Sequence, residues 1–228
     1  MIMIKSSFEL ENQFLALDYD FVIGIDEAGR GPLAGPVVAG AVIFKNKNKE
    51  LQVAGRESWG LVRDSKTLSE KQREKIFDFI HKYFYVGVGI CDHKTIDRIN
   101  ILEASFLAMK AALSDLRNKI NYRNRRHIVL LDGNKKISNL SLEQKAIMNG
   151  DKYVKSISAA SIIAKVTRDR IMEKMHVKFP EYDFAKHKGY GTKMHMEAIK
   201  KYGPCAIHRR SFEPIKKTHI NGNKNSQI

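Results

Sequence analysis

The chain has 228 residues, 43% of them hydrophobic, which is enough for a sizeable core. Forty Lys and Arg stand against 25 Asp and Glu, a formal charge of +15 that favours a polyanionic partner, above all nucleic acid. No apolar run approaches the roughly 20 residues of a membrane span, and the opening "MIMIKSSFELENQFLAL" lacks a signal-peptide core. Cys91 and Cys205 are therefore expected as reduced thiols, the compartment as the cytoplasm, and no membrane as a partner.

Residues 1 to 18 read as a short amphipathic lead-in. "FVIGI" (21–25) reads as a buried strand, and "PVVAGAVIF" (36–44) as its antiparallel partner across a Gly/Pro loop. The stretch from 45 to 60 is polar and reads as a surface loop. Ser69 caps a helix whose apolar positions are Ile76, Phe79, Ile80 and Tyr83. A third strand follows in "YVGVGICD", then a helix over 96–116 and a fourth strand in "RHIVLLDG". A long helix spans 156–176, and the remainder reads as loop and short helix with a disordered tail over 216–228. Strands mixed with helices predict α/β organisation around one sheet, as a single domain over 1–215.

Basic residues cluster late. Residues 186 to 217 hold nine Lys and Arg against two acids, Glu197 and Glu213, with Tyr190, Tyr202 and Phe212 interleaved. Such a stretch suits backbone binding and stacking on sugars or bases. His187, His195 and His208 fall within it and read as surface polarity rather than ligands.

The acids raise a sharper question. Asp26 and Glu27 end the first strand, where a loop with Gly29, Gly31 and Gly35 begins. Asp132 ends the fourth strand, and ligand sites in open α/β sheets form at strand ends. Asp169 lies on a helix that is apolar nearly all round, on the face of Ile162, Lys165, Val166 and Met172. Each has a plainer explanation. Asp132-Gly133 alone makes a turn, and Asp169 could pair with Lys165 or with Arg168 and Arg170. If the four acids converge, they form an all-oxygen site suited to Mg²⁺ or Mn²⁺, since such carboxylates cannot stay ionised together without cations. An acidic metal centre in a basic protein is the arrangement of a nuclease. The chain has no Walker loop, no G-x-G-x-x-G, no H-E-x-x-H and no G-x-S-x-G, so phosphate-loop, zinc and serine-hydrolase chemistry are not expected.

The segments "GIDEAGRGPLAGPVVAGAVI", "DSKTLSEKQRE", "LLDGN", "SISAASIIAKVTRD" and "FPEYDFAKHKGYGTKMHMEAIKKYGPCAIHRRSF" resemble, in content and order, prokaryotic ribonuclease HII. The resemblance implies a ribonuclease H-like fold, a mixed β-sheet flanked by helices, with a C-terminal helical extension whose basic part over about 180–215 binds substrate. It implies an endonuclease that cuts the RNA strand of RNA–DNA hybrids. It also implies nicking 5′ of single ribonucleotides embedded in duplex DNA, with two Mn²⁺ or Mg²⁺ ions, leaving 3′-OH and 5′-phosphate. Asp26, Glu27, Asp132 and Asp169 match the family's acidic site. Gly29, Arg30 and Gly31 match the loop that reads the 2′-hydroxyl, and Tyr190 matches the tyrosine that packs on the next deoxyribose. Lys66 and Lys165 are assigned to the substrate, and the chain is expected to act as a monomer. The stretches 45–60 and 135–150 are longer than the family pattern. Type III enzymes share "DEAG" but carry an N-terminal domain, for which the roughly 20 residues before the first strand are too few. Two rivals remain: a DNA-junction nuclease or strand transferase of the same fold, and a binding module without catalysis.

Overall fold

A computed structural model describes residues 6–45, 56–63 and 65–217, with side chains from 59 onward in the second segment. Five strands form one sheet in the order β3-β2-β1-β4-β5. They are β1 (Phe21–Ala28), β2 (Val37–Phe44), β3 (Phe84–Cys91), β4 (His127–Asp132) and β5 (Glu143–Ile147). Antiparallel pairing joins β1 to β2 and β2 to β3, while β4 lies parallel to β1 and β5 parallel to β4. The central β1 thus ends at the same edge of the sheet as β4.

The helices are α1 (Glu9–Ala16), α2 (Arg56–Leu61), α3 (Glu70–Tyr83), α4 (His93–Ile99), α5 (Ile101–Arg117), α6 (Gly150–Tyr153), α7 (Lys155–Lys178), α8 (Phe184–His187) and α9 (Lys193–Tyr202). On one face, α5 buries Ala104, Ala108, Ala112 and Leu116 against Ile23, Ile25, Val129 and Leu131. On the other, α7 and α3 cover Val42 and Val86 with Ile76, Ile80, Ile162 and Ile163. Gly24 and Gly40 let α7 approach the sheet: a Cβ on Gly40 would stand 2.5 Å from the Ala160 carbonyl oxygen. Beyond the sheet, α8, α9 and the segment up to Ile215 close a separate apolar cluster with Leu33, Ala34 and Met172.

Several expectations change. The helix expected over 96–116 is two helices, broken at Asn100, whose φ of 68° turns the chain. The Asn100 side chain caps α5 by accepting from the amides of Leu102 and Glu103. Within the loop expected over 45–60, residues 56–60 belong to α2, and 46–55 lie outside the described residues. The stretch after Asp132 is not all loop, because β5 extends the sheet there. Its Glu143, Gln144 and Lys145 carry no apolar alternation, as suits an edge strand. The tail expected to be disordered lies, from 218 on, outside the described residues. Among the described residues no helix is long and apolar enough to cross a membrane.

Candidate active site

Three carboxylates meet at the ends of β1 and β4. The parallel register pairs Ile25 with Leu131, so the next residues, Asp26 and Asp132, lie side by side on the α7 face. Asp151 arrives from α6, the short helix after β5, and its amide donates to Asp132 Oδ1 at 3.3 Å. Carboxylate oxygens of Asp26, Asp132 and Asp151 all lie within 4.8 Å of one another. Glu27 points to the opposite face and lines a cavity of about 80 Å³ with Arg30, Phe106, Met109 and Asp132.

The electrostatics follow from this crowding. Burial, then the charges of Glu27 and Asp132, push the Asp26 carboxyl well above the usual carboxylate range. Burial also raises Glu27, against the lowering effect of Arg30, whose Nη1 is 3.2 Å from Glu27 Oε1. Lys66 reaches in from the surface, 76% exposed, to 3.3 Å from Asp151 Oδ2. Buried Asp26 and Asp151 with half-buried Asp132 supply only oxygen donors, so these residues fit a hard divalent cation.

Asp169 does not join this group. It is buried on α7, with Oδ1 2.7 Å from Lys165 Nζ and Oδ2 3.7 Å from Arg73. The pairing with Lys165 satisfies it, and Lys165 is in turn held beneath the Tyr190 ring, 5.9 Å from its centroid. Asp151, which the sequence reading did not name, stands in the cluster where that reading expected Asp169. Its signal in the sequence was an acid in the first turn of a helix that returns to a strand end. That signal was hidden because β5, which carries the chain there, reads as loop.

The glycine loop is held from beneath. Gly29 and Gly35 have φ of 100° and 84°. Arg209 donates to the carbonyls of Arg30 and Gly35 at 2.9 and 3.0 Å and also to those of Gly29 and Pro36. Arg168 donates to Pro36, Ala34 and Lys188. The C-terminal segment pairs along the loop, with the Gly35 amide on Ile207 and the Arg209 amide on Leu33. With these carbonyls tied inward, Arg30 and Gly31 stand exposed at the tip. Tyr190 is 43% exposed beside them: a Cβ on Gly31 would lie 3.8 Å from Tyr190 Cε1.

The basic stretch is less of a surface than its composition suggests. Arg209 is buried, and buried Lys188 pairs with Glu173 at 2.6 Å and with Glu70 at 3.4 Å. His187, His195 and His208, read in the sequence as surface polarity, are buried too. The Cys205 amide donates to His208 Nδ1 at 2.9 Å, so the His208 proton sits on Nε2, 3.0 Å from His195 Nε2. His195 then donates through Nδ1 to the Tyr190 carbonyl at 2.9 Å.

Comparison with known proteins places the chain in a family. The family model described as ribonuclease HII matches residues 23–215, from the third residue of β1 through the segment that closes the loop. The chain belongs to the ribonuclease HII family. The ribonuclease HII of Fusobacterium nucleatum is 52% identical over 197 residues, 86% of this chain and 87% of the relative. That of Caldicellulosiruptor bescii is 49% identical over 209 residues, 91% and 94% of the two chains. Among solved structures, ribonuclease H2 from Pyrococcus horikoshii superposes with a TM-score of 0.69 at 32% identity, covering 90% of this chain and all of that one. Bst-RNase HIII, solved in complex with Mn²⁺, shares the fold with a TM-score of 0.66 at 18% identity, covering 90% of this chain and 70% of that one. The family cleaves RNA in RNA–DNA hybrids and uses divalent metals. As a ribonuclease H, the chain is a phosphodiester hydrolase.

Proposed function

We propose that this chain cuts the RNA strand of RNA–DNA hybrids and also nicks 5′ of single ribonucleotides embedded in duplex DNA, leaving 3′-OH and 5′-phosphate. The observation that carries this reading is the juxtaposition of the three carboxylates with the Gly29–Gly31 tip and the exposed Tyr190 ring. Asp26, Asp132 and Asp151 would hold divalent ions, with Glu27 beside them. Two bound Mg²⁺ or Mn²⁺ ions would supply an activated water and neutralise the leaving oxygen. The chain's own residues do the rest. Backbone groups at Gly29, Arg30 and Gly31 read the ribose 2′-hydroxyl, the group that separates RNA from DNA. The Tyr190 face packs on the following deoxyribose, where an added hydroxyl would clash. Arg30 and Lys66, both exposed and paired with Glu27 and Asp151, would contact substrate phosphates. The enzyme acts as a monomer in the cytoplasm, with residues 1–215 as one catalytic domain.

The test is cleavage of a labelled DNA duplex carrying one ribonucleotide, with Mg²⁺, with Mn²⁺ and with chelator. A metal-dependent nick on the 5′ side, absent from an all-DNA control, is expected. Cutting of the all-DNA control would favour a junction nuclease, and binding without cleavage under any metal would favour a binding module.

A further inference from the structure

We propose that Arg168 is a positioning residue that fixes the separation between the glycine loop and Tyr190, and so sets the preference for an RNA–DNA junction. This rests on the sugar readout given under Proposed function. Arg168 is 1% exposed, and every hydrogen bond described for it goes to a backbone carbonyl. Its Nε donates to Pro36 at 2.9 Å and its Nη2 to Ala34 at 3.0 Å, both on the glycine loop. Its Nη1 donates to Lys188 at 2.9 Å, two residues before Tyr190. One planar guanidinium thus spans both halves of the reading surface, and its centre lies 5.9 Å from the Tyr190 ring centroid. The donor directions of a guanidinium are fixed relative to one another, so the two segments it joins are fixed as well.

The surrounding glycines make room for this bridge. A Cβ on Gly29 would stand 2.2 Å from Arg168 Nε, and one on Gly189 would stand 2.7 Å from the Ala34 carbonyl oxygen. The loop and the Tyr190 segment are therefore in direct contact around the guanidinium. Arg209, by contrast, binds only the loop side, at Gly29, Arg30, Gly35 and Pro36. Burial lowers the Arg168 pKa to about 10, which still leaves it charged at neutral pH.

The sugars on either side of one phosphodiester bond are a fixed distance apart. A surface that demands ribose at one and deoxyribose at the other discriminates only while its two reading elements keep that distance. If the bridge loosens, Tyr190 can retreat and admit a second ribose, while the carboxylates still cut.

Arg168→Lys and Arg168→Met test this by kcat/KM on two substrates, a DNA duplex with one ribonucleotide and a uniform RNA–DNA hybrid. Lysine keeps the charge but has one nitrogen, which cannot reach all three carbonyls. The ratio of the two kcat/KM values is expected to fall about 10-fold or more in both variants, with Mn²⁺ affinity unchanged. Methylguanidinium added to Arg168→Ala is expected to restore part of the ratio. If Arg168→Met does not fold, Arg168→Lys decides alone. A wild-type ratio in the lysine variant would overturn the proposal, as would an equal loss on both substrates. If the wild-type enzyme shows no junction preference, the sugar readout itself fails. That outcome is distinct from a discriminating wild type whose lysine variant discriminates equally well.

Discussion

Asp151 and Asp132 are tied to each other by the protein itself: the Asp151 amide donates to Asp132 Oδ1 at 3.3 Å. The hydrogen bond holds the two carboxylates in place, although their charges repel. The same contact separates the roles of Asp151 and Asp169. Asp151→Asn is expected to lower cleavage by about two orders of magnitude or more, as removal of one preorganised charged group does. It should also weaken Mn²⁺ binding measured by electron paramagnetic resonance titration. Asp169→Asn should leave that titration unchanged. It should cost roughly 1–3 kcal/mol in urea unfolding, because it leaves Lys165 without its carboxylate. Loss of Mn²⁺ affinity in Asp169→Asn would return that residue to the metal site.

Lys66 competes for the same carboxylate that Asp151 offers to a cation. Because Lys66 is exposed, the pair is worth at most about 1 kcal/mol. Lys66→Met is therefore expected to tighten Mn²⁺ binding in the absence of nucleic acid by a factor of about 5 or less, most clearly at low salt. The same variant should raise KM for hybrid. Weaker Mn²⁺ binding in Lys66→Met would show that Lys66 organises the site rather than competing in it.

Tyr190 presents its ring beside Gly31 rather than into the core. Tyr190→Ala is expected to lower junction cutting about 10-fold or more, with affinity for the duplex changed much less. Affinities from fluorescence anisotropy beside single-turnover rates would separate the two. Equal losses would mean that the ring contributes general backbone contact.

Acid should loosen the lobe behind Tyr190. Burial holds His195 and His208 at about 4, below the ordinary 6.5. Between those values the unfolded chain binds more protons than the folded one. Stability from this source is therefore full above about pH 6.5 and falls as pH drops toward 4. A protonated His208 would also carry a proton on Nδ1, where it now accepts from the Cys205 amide, and that hydrogen bond would be lost. Urea midpoints at pH 7 and pH 5 should drop more in the wild type than in His208→Gln. Equal drops would assign the acid sensitivity to carboxylates elsewhere.

What the sequence made legible depended on local signals. Asp26, Glu27 and Asp132 could be found because a run of buried apolar residues stops abruptly at each. The capping box at Ser69 and Gln72 likewise announces α3 from four adjacent residues. Asp151 could not be found this way, since its place depends on β5, a polar edge strand that only pairing reveals. The three histidines were misread, and the burial of Arg168 and Arg209 went unsignalled, for a related reason. Their polar side chains suggest solvent, and only the carbonyls of a distant loop show why they can be buried. Asn100 splits a helix whose apolar periodicity runs on across the break.

The loop that follows β1 is completed by Arg209, about 180 residues later in the chain. During synthesis the carboxylates of β1 and β4 can assemble while the carbonyls of Gly29 and Arg30 still lack their donor. On the proposed sugar readout, the loop that would tell ribose from deoxyribose gains this donor only once residue 209 has been made. On that reading, a nascent or C-terminally clipped chain would hold its acids beside a loop whose carbonyls lack the Arg209 donor.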